Sequence, residues 1–139
     1  MTREQLYNHF ELRQELKQAV EVLTTLRAAA SPGAQALTGM PHVPVLTDKT
    51  GDLAAEIVDI EQEISRIQET IGQEEPEILS FISAIRSSRT RTIFRLRILR
   101  GFSWKEISII FGKWTTAKSC KSTFWNYVDT HCKGRNETP

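Results

Sequence analysis

Apolar residues recur along most of this 139-residue chain at helical spacing. Thr2-Arg3-Glu4-Gln5 has the form of a capping box. Leu6, Phe10, Leu16, Val20, Leu23 and Leu26 follow on or near one stripe, with no Gly or Pro before Pro32. A first helix is predicted there, closing at Ala28-Ala29-Ala30-Ser31-Pro32-Gly33. Residues 31 to 51 hold three of the five prolines and three of the seven glycines, which predicts a long loop with Met40, Val43, Val45 and Leu46 as apolar anchors. Beyond it, Leu53, Ile57, Ile60, Ile64, Ile67 and Ile71 are spaced 4, 3, 4, 3, 4, a heptad seam with Glu56, Asp59, Glu61, Glu63 and Glu69 on its flanks. Such a helix needs a partner. Either the first helix folds back on it as a hairpin, or the seam pairs between chains, which makes these six residues the candidate oligomerisation surface.

Pro76 suits the first turn of a new helix, carrying Ile78, Leu79, Ile82 and Ile85. Ser87-Ser88 offers a stop and a fresh N-cap, and a helix from Arg89 to Arg100 follows, with Ile93, Phe94, Leu96, Ile98 and Leu99 as core. Gly101 ends it as a left-handed residue would. Ser103 and Glu106 form a second capping box, with Phe102 placed to staple onto Ile107. Ile107, Ile110 and Phe111 are predicted to face inward and Gly112 to close this short helix. Lys113-Trp114 is the link, and Thr115 or Thr116 caps the last helix. On a wheel, Ala117, Cys120, Phe124, Tyr127 and Val128 form the core face. Thr115, Lys118, Ser119, Ser122, Trp125 and Asn126 lie opposite, with Lys121 near the boundary. The expectation is an all-α chain. An N-terminal helical hairpin or coiled-coil stem spans 1–76, a helix-turn-helix domain 77–130 and a flexible tail 131–139.

Charge sharpens this picture. The net charge is only +1, but residues 1–80 carry 6 Lys/Arg against 14 Asp/Glu, while residues 81–139 carry 12 against 3. A basic C-terminal part built of two short helices and a turn predicts contact with double-stranded DNA. The outward face of the last helix has no acid, and its lysines and hydroxyls suit phosphate and base-edge contacts. No outward Arg or Gln stands there for bidentate base reading, so modest sequence specificity is expected from this helix alone. The candidate contacts are Arg89, Arg91, Lys105, Lys113, Thr115, Thr116, Lys118, Ser119, Lys121, Ser122, Trp125 and Asn126. Arg89 and Arg91 stand at a helix start, where backbone amides also favour anions. Arg86, Arg95, Arg97 and Arg100 are further basic candidates, with Arg97 and Arg100 also able to face the stem's acidic side. Trp104 and Trp114 read as packing residues, and Trp125 as an outward aromatic.

Other chemistry is sparse. Cys120 and Cys132 lack metal-ligand or disulfide-framework spacing, and His131-Cys132 lacks the further ligands a metal needs. No phosphate loop, nucleophile elbow or pair of carboxylates flanked by strand signals is present, so neither an enzyme nor a cofactor is expected. No apolar run approaches a membrane span, and the polar start carries no leader pattern. A cytoplasmic protein is expected.

From Ile78 to Val128 the chain resembles region four of sigma-70-type transcription factors, through Leu96-Arg97-Ile98-Leu99-Arg100-Gly101-Phe102-Ser103-Trp104-Lys105-Glu106-Ile107. The whole chain is similar to small phage and prophage proteins near the RinA and ArpU-like late-gene regulators. The shared segments are like Ala30-Ser31-Pro32-Gly33, Leu37-Thr38-Gly39-Met40-Pro41-His42 and Asp48-Lys49-Thr50-Gly51-Asp52-Leu53. Ser108 departs from the usual Ala, and the link Gly112–Thr116 is one residue longer than usual. The resemblance implies a transcription regulator on bacterial nucleoid DNA, with host RNA polymerase as a second partner and a homo-oligomer, preferably a dimer, as its assembly. A small terminase subunit that recognises viral DNA for packaging is the alternative.

Overall fold

A computed structural model describes residues 1–30 and 50–132. The loop anchors Met40, Val43, Val45 and Leu46 and the tail from residue 133 lie outside the described residues. Among those described, the chain is built from helices, as the all-α expectation required. They are α1 (Arg3–Ala30), α2 (Thr50–Ser83), α3 (Ser88–Phe94), α4 (Trp104–Phe111) and α5 (Ala117–His131), with a π-helical turn, Arg95–Leu99, extending α3. The last helix therefore includes the first residue of the expected tail, His131, and Cys132 beyond it is buried. Likewise α2 begins at Thr50, inside the span expected to be loop.

Pro76 does not start a new helix; α2 runs through it. The carbonyl that loses its partner belongs to Gly72, and both residues are exposed, so water can satisfy it. Burial of Ile71, Ile78 and Ile82 on the other face offsets the lost bond.

Two compact units result: Met1–Gln14 with the chain from Thr70 onward, and Glu15–Glu69. Their boundary does not follow the expected division into 1–76 and 77–130. The start of α1 and the end of α2 belong with the C-terminal helices because Leu6, Ile78, Ile82 and Ile85 share one core with Ile93, Phe94, Ile98, Ile107, Cys120, Phe124 and Val128. Phe94 is its centre, stacked on Phe124 with centroids 4.4 Å apart and edge-on to Tyr127 at 5.3 Å.

In the Glu15–Glu69 unit, Leu23, Ile64 and Ile67 are buried and Arg27 pairs with Glu61. Part of the heptad seam is thus covered by the chain itself. Ile64 and Ile67 are not open for a second copy, and neither is Ile71 in the other unit. Leu53, Ile57 and Ile60 remain half-buried. Val20, expected on the inner stripe of α1, is exposed, as are Val22 and Val58.

Local signals set the helix ends around the C-terminal elements. Ser87 Oγ accepts from Thr90 N–H, and the Ser103–Glu106 capping box closes in both directions, at 3.1 and 2.9 Å. Gly101 has φ +70°, and a Cβ there would sit 2.7 Å from Gln14 Nε2. Gln14 Nε2 donates to the Gly101 carbonyl; the positive φ calls for glycine, and a Cβ would also push aside the end of the Gln14 side chain that makes this bond.

Candidate nucleic-acid interface

The site is built on α4, a five-residue link and α5. Gly112 ends α4 with φ 107° and ψ 179°, a backbone region essentially reserved for glycine. Thr115 N–H bonds back to the Gly112 carbonyl at 3.0 Å. Thr116 then caps α5, its Oγ1 accepting from Ser119 N–H at 3.0 Å. The first turn of α5 contains no acid. Cys120, Phe124 and Val128 anchor the helix in the core. Their spacing leaves Lys118, Ser119, Lys121, Ser122 and Asn126 exposed.

Arg89 joins this edge from α3. Its guanidinium lies over the Phe111 ring, 5.1 Å from the centroid, with Nη1 3.4 Å from Thr115 Oγ1. A cation from the start of α3 therefore stands beside the link and the first turn of α5. Lys113 and Thr116 are exposed there too, and Lys105 is exposed on the first turn of α4. Such an edge can offer point charges, one guanidinium fork and hydroxyls to a polyanion. No family model, curated protein or solved structure matches the chain.

Several expected site residues have other tasks. Arg91 turns inward and donates to the Ile85 carbonyl at 2.8 Å, satisfying backbone just beyond the end of α2. Trp125 is not an outward aromatic: it is half-buried, edge-on to Phe124, with the Arg3 guanidinium 5.0 Å from its ring centre. Arg3 also pairs with Asp129, so the start of α1 covers this side of α5. Arg97 lies between Phe10 and Trp104, 4.0 and 4.4 Å from their centroids, and donates to the Phe102 carbonyl. Burial lowers its pKa from the usual guanidinium value, with Glu11 pulling the other way, and its packing between two rings makes it a structural cation.

Trp104 packs as expected, but Trp114 is 91% exposed. Ile110, expected inside, is 54% exposed, and its neighbour Ile109 is 68% exposed. The link carries Trp114 away from the core, and α4 is too short to bury more than the Ile107 line. An apolar patch thus adjoins the basic edge. The helical spacing of α4 could have signalled Ile109, which points about 160° away from Ile107, but not Ile110, which lies three residues on and shares its face.

Proposed function

We propose that the chain is a double-stranded DNA-binding regulator that presents α5 to the major groove, with Arg89, Lys113 and Thr116 gripping the flanking phosphates. The observation that carries this reading is the exposed, acid-free row Lys118, Ser119, Lys121, Ser122 and Asn126 on a helix capped by Thr116 and anchored by Cys120, Phe124 and Val128. Charge supports it, because 12 of the 18 Lys/Arg lie after residue 80. The resemblance to sigma region four and to phage late-gene regulators favours transcription as the process, with RNA polymerase as a further partner. Of the expected contacts, Arg91 and Trp125 are withdrawn from the interface. The decisive experiment is duplex retardation by the full chain and by Lys118→Ala/Lys121→Ala. The double variant binds about tenfold or more weakly if α5 meets phosphates; unchanged retardation refutes the assignment.

The stem favours assembly. The Glu15–Glu69 unit exposes Val20, Val22 and Val58 and leaves Leu53, Ile57 and Ile60 half-covered, which supports a homo-oligomer through this helical pair. The same feature keeps open a second reading, a packaging subunit that recognises viral DNA. Mass in solution separates them: a dimer or monomer fits the regulator, and a ring of about eight or more chains fits packaging.

A further inference from the structure

Three arginines line a cleft in which α4, the link and α5 take no part. The cleft, of about 290 Å3, is lined by Arg13, Glu75, Leu79, Arg95, Leu99 and Arg100. One wall is held by a continuous set of hydrogen bonds. Glu74 bonds to His9 Nδ1, Arg13 Nε donates to His9 Nε2, and Arg13 Nη1 donates to the Leu99 carbonyl, at 2.9, 2.9 and 2.8 Å.

The other two cations are brought together by the π-helical turn. Arg100 N–H bonds to the Arg95 carbonyl five residues back, at 3.2 Å. In an α-helix, residues five apart point about 140° away from one another. The wider π turn swings them toward one side, so both reach the same cleft. A regular continuation of α3 would have sent one of them elsewhere.

Charge in the cleft is unbalanced. Three guanidiniums face one carboxylate, Glu75, leaving two positive charges over. Burial lowers the Arg13 pKa, Glu75 partly restores it, and Arg100 lowers it further by repulsion. We infer that this cleft binds a phosphate group, carried either by a small phosphate ester or by a nucleic-acid backbone. A phosphate dianion matches the excess of two charges among the lining side chains and has enough oxygens for the guanidinium forks of Arg95 and Arg100 and for the N–H groups of Arg13 not given to His9 and Leu99. A single carboxylate would leave one charge unmet, and Glu75 already fills that role. The cleft exceeds the size of a bare phosphate, and Leu79 and Leu99 offer an apolar wall for the esterified group.

The test uses isothermal titration of the full chain with pyrophosphate and with ADP at fixed ionic strength, together with Arg95→Gln/Arg100→Gln. Both arginines are exposed, so the variant keeps the wild-type melting temperature. Saturable binding of either anion, weakened about tenfold or more in the variant, supports the site. Tighter binding of ADP than pyrophosphate, with duplex affinity untouched by saturating ADP, assigns a free ester. Competition between pyrophosphate and duplex, with weaker duplex binding by the variant, assigns backbone phosphate. The inference is overturned if neither anion saturates and the variant binds duplex normally, or if wild type and variant bind the anions equally. It stands apart from the α5 proposal, because Lys118→Ala/Lys121→Ala should leave pyrophosphate binding intact.

Discussion

Arg13 Nε donates to His9 Nε2 across 2.9 Å, which fixes the proton on the other ring nitrogen of His9. A guanidinium only donates, so Nε2 must be an unprotonated acceptor. Nδ1 therefore carries the single ring proton and donates it to Glu74 Oε1 at 2.9 Å. His9 is fully buried, yet both its nitrogens are satisfied, and the contact with Glu74 is a hydrogen bond from a neutral ring. The prediction concerns Glu74→Gln, which keeps an acceptor oxygen at that place. It should cost less than about 1 kcal/mol in urea unfolding. A loss of about 3 kcal/mol or more would mean a buried ion pair and refute the assigned tautomer. His9→Ala, by contrast, leaves Arg13 Nε–H unpaired beside a cavity and should cost about 2–4 kcal/mol.

Gly112 joins the two helices of the proposed interface with a backbone that L side chains rarely adopt. A Cβ added there meets nothing within 4 Å, so any cost of Gly112→Ala comes from the backbone alone. About 1–3 kcal/mol of destabilisation is expected, with weaker duplex binding at temperatures where the variant is still folded. Wild-type stability would show that the link relaxes freely, so that it does not set the angle of α5.

What could be foreseen from the sequence was what short stretches decide among themselves. Ser103 with Glu106, Thr116 before Ala117, and Gly101 after the arginine-rich helix each declare a helix end within four residues, and each does so in the structure. The core face of α5 was legible for the same reason, since Cys120, Phe124 and Val128 recur at helical spacing. The fates of Arg97 and Trp125 were not, because they depend on partners far along the chain; Arg91 was missed for another reason, since its partner, the Ile85 carbonyl, lies only six residues back and no spacing rule marks a carbonyl just beyond a helix end. Arg97 is claimed by Phe10, and Trp125 by Arg3, residues separated from them by more than half the sequence. Pro76 misled because its effect depends on which side of the helix its missing bond faces. The π turn has no local sequence signature, so the meeting of Arg95 and Arg100 was invisible until the backbone was known.

Both thiols lie in the core, and burial pushes Cys120 and Cys132 above their ordinary pKa range. Neither should react with Ellman's reagent at pH 8 in the native chain, and both should react in urea; rapid native labelling would show that the end of α5 opens readily. A thiol whose folded pKa is raised adds stability that is fully present below its unfolded pKa and lost as pH rises through the folded value. Tyr127 is raised too, again by burial, and acts in the same sense at higher pH. The urea midpoint should therefore hold steady between about pH 7 and 8 and fall above about pH 8.5. A midpoint that rose in that window would contradict the buried placement of these groups.

The central claim is that the exposed basic row of α5 and its link meets duplex phosphates. Fluorescence anisotropy of a labelled duplex, titrated with the full chain between about 50 and 300 mM salt, tests it most directly. Neutralising on the order of four phosphates predicts that log affinity falls linearly with log salt at a slope near −3.6. Absence of binding at the lowest salt, or affinity that stays flat across the range, would contradict it.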